Sequence, residues 1–127
     1  MYLMKQLLLV GFGGFIGSIA RFFVSKLNLH WNLLSIPMGT LTVNILGSLI
    51  IGFIVGVSSK SEIITPGFRL FLMVGVCGGF TTFSSFTLEN MTLMQNGQFA
   101  SVLIYTGLSI FLGFLAVYLG YLSSNLL

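Results

Sequence analysis

The sequence predicts an all-α membrane protein of four transmembrane helices, with the third helix broken mid-membrane. Three observations carry that expectation. The 127 residues have a mean hydropathy of +1.07, with 56% hydrophobic and only 6% charged side chains, against roughly 25% charged in an ordinary soluble domain. Four apolar segments each reach the ~20 residues needed to cross a bilayer. The third of them contains Gly75-Val-Cys-Gly-Gly-Phe-Thr-Thr-Phe-Ser-Ser-Phe-Thr-Leu-Glu-Asn90, which carries a glycine pair, five hydroxyls and three phenylalanines. In hydrocarbon every backbone polar group must be satisfied internally. Gly78-Gly79 followed by Thr81 and Thr82 is a poor continuation of a lipid-facing helix. A break there has to be buried in protein or line a watery path, as in transporters and channels.

The first helix runs from about residue 3 to 26. It has no polar region for cleavage after its apolar run and continues to Arg21, so it is expected to be a retained membrane helix. The second covers about 36–57 and opens at Pro37, where helix starts favour proline. The third covers about 68–94, just after Pro66. The fourth covers about 99–122 and follows Asn96-Gly97, a turn signal. The connections are Leu27–Ser35, Ser58–Gly67 and Gln95–Gln98, and Tyr2 and Trp31 suit the interface belt. The whole of 1–127 therefore reads as one four-helix domain, with no soluble domain, linker or repeat.

Charge excludes several functions. Lys5, Arg21, Lys26, Lys60 and Arg69 against two acidic residues give a net +3, but they are scattered and form no basic patch for nucleic acid. Cys77 is the only cysteine, so no intrachain disulfide forms, and its plain role is packing. His30 in a loop is assigned nothing. No metal-ligand cluster, nucleophile–base pair or phosphate loop stands in the sequence, so an enzyme is not expected.

Four crossings put both termini and the second connection on one side, with Lys5, Lys60 and Arg69. Arg21 and Lys26 fall to the other. The positive-inside rule acts on such differences, and this one is nearly nil. It permits insertion in both orientations, and hence an antiparallel dual-topology homodimer in which two copies act as inverted repeats. A modest preference for one orientation is the alternative. Gly13-Gly14 with Gly17, and Gly47, Gly52 and Gly56, allow close helix approach.

The polar residues on the apolar helices are the candidate site. Asn44 lies near the middle of helix two with Thr40 one turn earlier. Its amide is either glue between helices or a donor to an anion in a pore. Phe80, Phe83 and Phe86 recur every three residues, either as packing or as ring edges whose positive rim touches a small anion. Ser84, Ser85 and Thr87 add hydroxyls. Tyr105 and Ser109 share a face of helix four with Gly113, either facing a polar path or back-bonding to their own helix. Arg21 and Glu89 are the deepest ionisable groups, functional or paired if buried, and otherwise snorkelling to the interface.

These residues carry a resemblance. Gly13-Gly-Phe-Ile-Gly-Ser-Ile-Ala-Arg21, Gly39-Thr-Leu-Thr-Val-Asn44 with Gly47, and Gly75-Val-Cys-Gly-Gly-Phe-Thr-Thr-Phe-Ser-Ser-Phe86 stand in the order and spacing of the small bacterial fluoride channels. The chain resembles that family, Fluc or CrcB, over essentially its whole length. The resemblance implies an antiparallel dual-topology homodimer with two pores, passive and selective fluoride export, and protection from environmental fluoride at the bacterial cytoplasmic membrane. It implies Asn44 as the pore asparagine, with Phe83 and Phe86 as the rings contacting fluoride. Thr40, Ser84, Ser85, Tyr105 and Ser109 belong to the polar tracks, and Arg21 to the vestibule. Backbone carbonyls of Gly78 and Thr81, two from each subunit, would hold a structural Na+ at the dimer interface. Ser85 stands where the family commonly has threonine, and Gly113 where some members have a further serine.

Two other classes compete. A small multidrug-type exporter also has four helices, but proton-coupled export of cations wants a membrane-embedded carboxylate. Helices one and two have none, Glu62 is in a loop, and Glu89 is the sole candidate. A non-transporting membrane assembly subunit would use the glycines and Asn44 as packing contacts.

Overall fold

In the computed structural model, which describes residues 2–27, 35–60 and 64–126, helix α1 occupies Tyr2–Leu27. Helix α2 occupies Met38–Lys60. Pro37 precedes it, and the Leu41 N–H closes the first turn onto the Pro37 carbonyl at 3.2 Å. The helix runs three residues beyond the expected end, and there the Ser58 and Ser59 hydroxyls donate to the Ile54 and Gly56 carbonyls at 2.7 and 2.8 Å. Lys60 Nζ, at the last turn, donates to Asn125 Oδ1.

The third span extends over Pro66–Gln95. It starts as α3, Pro66–Leu70, with Pro66 in the first turn and Thr65 as cap, its hydroxyl oxygen accepting the Phe68 N–H at 3.3 Å. A π-helical stretch, Phe71–Cys77, follows, then the single turn of α4, Gly78–Phe80. Thr81 and Thr82 take extended backbone, φ/ψ −82/159° and −153/118°. Helix α5, Phe83–Gln95, resumes beyond them. The row Phe80, Phe83, Phe86 is therefore not one helical stripe, because Phe80 lies on the far side of the extended pair.

A Schellman turn ends α5. Gly97 sits at φ 72°, the left-handed conformation that glycine adopts without penalty. Its N–H donates to Met94 O at 3.0 Å, and the Gln98 N–H to Leu93 O at 2.9 Å. This turn sends the chain into α6, Phe99–Ser123, with a 3₁₀ turn, Ser124–Leu126, behind it. All four spans are long and apolar enough to cross a membrane.

Packing follows the glycines. A Cβ on Gly13 would lie 2.6 Å from Phe71 O, and one on Gly17 2.1 Å from Val76 O, so α1 rides directly on the backbone of the π stretch. Between α2 and α6, a Cβ on Gly52 would meet Val117 O at 2.1 Å, and one on Gly120 would meet Leu49 O at 2.1 Å. Two spans separated by one crossing must run parallel, and these contacts show the heights in step. Gly52 stands beside Val117, and Gly56 beside Tyr121 and Ser124. The small core is Ile36, Leu41, Leu93 and Tyr105, with Phe86 and Val102 against it. Phe83, Leu103, Phe111 and Phe114 are exposed, apolar surface for lipid or for a second chain. His30, Trp31 and Glu62 lie outside the described residues.

Candidate functional site

The extended pair Thr81–Thr82 organises the first group of side chains. A helix continuing through it would give the Thr82 N–H to the Gly78 carbonyl. Instead that N–H goes to Asn44 Oδ1 at 2.8 Å, and Asn44 Nδ2 returns a bond to Thr82 O at 3.1 Å. One amide thus occupies both main-chain groups of a single residue, holding α2 to the third span. Of the two roles open to Asn44, the glue role is met within one chain. The amide's second N–H takes no partner among the described residues.

The freed chain end is capped locally. Thr82 Oγ1 accepts the Ser85 N–H at 3.2 Å, donates to Ser85 Oγ at 3.1 Å, and lies 3.2 Å from Ser84 Oγ. Thr81 folds back on the preceding turn, with its N–H and its hydroxyl each 2.9 Å from Cys77 O. Gly47 leaves the room for this, since a Cβ there would lie 2.2 Å from Thr81 Cγ2. Thr87 bonds back to Ser84 O at 2.9 Å. Beside the extended pair opens a crevice of about 320 Å³, lined by Asn44, Ser48, Cys77, Gly78, Thr82 and Phe83 among others. Its polar surface is amide, hydroxyl and main chain, and no charged side chain lines it.

A second group forms where α2, α5 and α6 meet. Thr40 donates to Glu89 Oε1 at 2.6 Å and Tyr105 to Glu89 Oε2 at 2.7 Å. The carboxylate thus receives one hydroxyl on each oxygen. Glu89 is thus paired by two neighbouring helices, and the Tyr105 hydroxyl reaches α5 rather than its own helix. Phe86 joins this group, 5.1 Å from the Tyr105 ring at 60°, an edge-on contact, and 5.8 Å from the Phe83 ring. Phe86 is half-buried, whereas Phe83 is 76% exposed. One turn further along, Asn90 Oδ1 accepts from Thr106 at 3.3 Å, a helix–helix contact that sequence reasoning missed.

The remaining residues are placed more simply. Ser109 Oγ is buried and has no partner among the described residues, so it too fails to back-bond. Arg21 is half-buried on α1 and joins neither group. Gly78 is exposed, and its carbonyl is released because Asn44 takes the Thr82 N–H. No group of His, Cys, Asp or Glu able to hold a metal ion exists among the described residues. Carbonyl oxygens suit a hard cation. The released Gly78 carbonyl next to the non-helical Thr81 fits that requirement.

Comparison with known proteins closes the description. The chain matches the family model "CrcB-like protein, Camphor Resistance (CrcB)" over residues 8–121. It is 42% identical over 120 residues to the fluoride-specific ion channel FluC of Azobacteroides pseudotrichonymphae, covering 94% of this chain and 96% of that one. It is 45% identical to the FluC of Chlorobium chlorochromatii, with 94% and 92% covered. Against the FluC of Chlorobium phaeobacteroides strain DSM 266 the identity is 46%, with 93% of each chain covered.

Proposed function

The chain belongs to the CrcB-like family, and on that premise we propose that it is a fluoride-selective channel that lets fluoride leave the cell passively across the cytoplasmic membrane, protecting the cell from its toxicity. The observation that carries the reading is the crevice beside Thr81–Thr82. Its wall is largely apolar with neutral polar groups from Asn44, Ser48, Thr81 and Thr82, and it lies in a chain whose near-full-length relatives are named fluoride-specific ion channels.

Fluoride is small and strongly hydrated. A selective path must replace its water with several short donors, yet hold it weakly enough to release it. The spare N–H of Asn44 and the hydroxyls of Ser84 and Ser85 supply donors of that kind. The crevice also meets the start of α5, the positive end of a helix, which favours an anion there. Phe83 and Phe86 offer ring edges, positive at the rim. Thr40, Tyr105 and Ser109 continue the hydroxyls along α2 and α6, and Arg21 would draw anions to the mouth. Thr40 and Tyr105 give their protons to Glu89 in this arrangement. A passing ion would therefore have to share or displace that bond.

The functional unit we infer is an antiparallel dual-topology homodimer with two paths. The large exposure of Phe83 supports it, since a second copy would cover this ring. Two copies would bring the Gly78 and Thr81 carbonyls of each into one four-oxygen set around a Na+. Such an ion would add positive potential near the path and tie the extended segments together.

Flux from proteoliposomes distinguishes the readings. Fluoride efflux without a proton gradient supports the channel. Proton flux driven by a cationic drug would mean an exporter using Glu89, and no flux of either kind would mean an assembly subunit.

A further inference from the structure

The crevice beside the extended pair contains a hydroxyl to which neither the packing nor the polar tracks above assign a task. Ser48 lies one turn beyond Asn44 on α2, on the face that carries Thr40 and Asn44, and it lines the same crevice as Asn44, Thr82 and Phe83. A serine on a membrane helix commonly donates to a carbonyl one turn earlier. Ser58 does so to Ile54 O at 2.7 Å, and Ser123 donates to Gly120 O at 2.7 Å. Ser48 does neither, and its hydroxyl has no hydrogen-bond partner among the described residues.

The neighbouring helix offers Ser48 no acceptor either. Gly113 on α6 stands at the height of Ser48, and a Cβ built on it would lie 4.0 Å from Ser48 Oγ. One turn earlier on α6 is Ser109, whose Oγ is buried without a partner. Since α2 and α6 run parallel and in step, Thr40 faces Tyr105 across Glu89, Asn44 shares the height of Ser109, and Ser48 faces Gly113. Two neighbouring levels therefore present hydroxyls with no acceptor among the described residues. Ser109 Oγ is buried, where an unpaired hydroxyl is costly. Ser48 is half-buried and opens to the crevice, where its hydroxyl can meet an acceptor that is not part of the protein.

We propose that Ser48 is a further specificity-determining residue of the path, its hydroxyl donating to the partly dehydrated anion next to Asn44, with Gly113 placing no side chain against it on α6, so that the hydroxyl is free to turn toward the ion. The proposal rests on the fluoride reading. A small, basic anion gains more from one short O–H donor than a larger halide does. Ser48 thus adds to selectivity as well as to rate.

The test uses the full chain in proteoliposomes, with fluoride efflux recorded over a range of fluoride concentrations and chloride efflux recorded in parallel. Ser48→Ala is expected to slow fluoride efflux about ten- to a hundredfold, the weight of one hydrogen bond to a charged group. It should also raise the half-saturating fluoride concentration and lower the fluoride-to-chloride ratio. Ser48→Thr, which keeps the hydroxyl, should stay within about threefold of wild type, well inside that same hydrogen-bond effect. Gly113→Ser in the Ser48→Ala background should restore much of the flux by placing a hydroxyl on the neighbouring helix. Size-exclusion profiles show whether each variant is folded. If Ser48→Ala fails to assemble, Ser48→Cys, similar in size and a weaker donor, takes its place with the same expected changes. Wild-type efflux, saturation and selectivity in Ser48→Ala overturn the proposal. So does a slow Ser48→Ala variant that Ser48→Thr does not match at near wild-type rate, because the effect is then packing. Wild-type vesicles that release no fluoride would instead sink the fluoride reading itself.

Discussion

Replacing Asn44 by aspartate changes one atom and opposes the arrangement in two ways. In the native chain Nδ2 donates to Thr82 O at 3.1 Å while Oδ1 accepts the Thr82 N–H at 2.8 Å. Asn44→Asp keeps the second bond and strengthens it, because the acceptor becomes charged. The first becomes two oxygens facing each other, leaving the Thr82 carbonyl without its donor at a cost of about 1–3 kcal/mol. These two effects partly offset, so the protein should remain folded and lose on the order of 1–2 kcal/mol of stability. Transport suffers more. A carboxylate ~4 Å from a passing anion repels it by about 4 kcal/mol at an effective dielectric of 20, roughly a thousandfold in occupancy. The assay is fluoride efflux from proteoliposomes, paired with thermal unfolding and size-exclusion in detergent. Thr82→Ala is the control. The partners of Asn44 are main-chain atoms, so this change removes the Thr82 hydroxyl's cap on the Ser85 N–H, a loss of about 1 kcal/mol, together with its contacts to the Ser84 and Ser85 hydroxyls, and the pairing should survive. Efflux from Asn44→Asp at the wild-type rate would remove Asn44 from the path. A Thr82→Ala variant as damaged in stability as Asn44→Asp would show that the main-chain pairing is not what holds the segment.

Three other expectations follow from the same structure. Gly52→Val should abolish assembly of the chain, because even a Cβ would lie 2.1 Å from Val117 O. Normal expression and unfolding temperature would contradict the tight α2–α6 contact. One Na+ per dimer on main-chain carbonyls should survive Thr81→Ala, and exchanging Na+ for a bulky organic cation should inactivate the protein slowly. Unchanged activity after long exchange would count against the site. Two lysines added within Ser58–Gly67 should trap one orientation and cost activity, and co-expression with a variant carrying two lysines in Leu27–Ser35 should restore it. Full activity from one fixed-orientation variant alone would contradict an antiparallel unit.

The four spans were readable because lipid imposes a single demand, about twenty apolar residues with an internally bonded backbone. The turn after α5 was readable for a similar reason, since Asn96-Gly97 acts locally. The exact ends were less so. Helix α2 continues through polar Ser58, Ser59 and Lys60, whose side chains find partners that hydropathy does not register. Sequence also picked out Thr40, Asn44, Tyr105 and Ser109 as polar residues on apolar helices, but not what they touch. That Thr40 and Tyr105 converge on Glu89 depends on three helices meeting, and no spacing within one segment encodes it. Asn44 pairing with the main chain of Thr82 is hidden in the same way, since any residue at position 82 would offer the same N–H and C=O. Ser48 and Gly113 became a pair only once α2 and α6 were seen to run in step.

The central claim is that this chain passes fluoride selectively and without coupling. The most direct measurement loads proteoliposomes with potassium fluoride, dilutes them into fluoride-free medium with equal proton concentration on both sides, and adds valinomycin to carry the counter-charge while a fluoride-selective electrode records release. A chloride-loaded set runs beside it with a chloride electrode. Prompt fluoride release that begins with valinomycin, needs no proton gradient and far exceeds chloride release is the predicted result. Fluoride release no faster than from protein-free vesicles, or equal release of the two halides, would contradict the account.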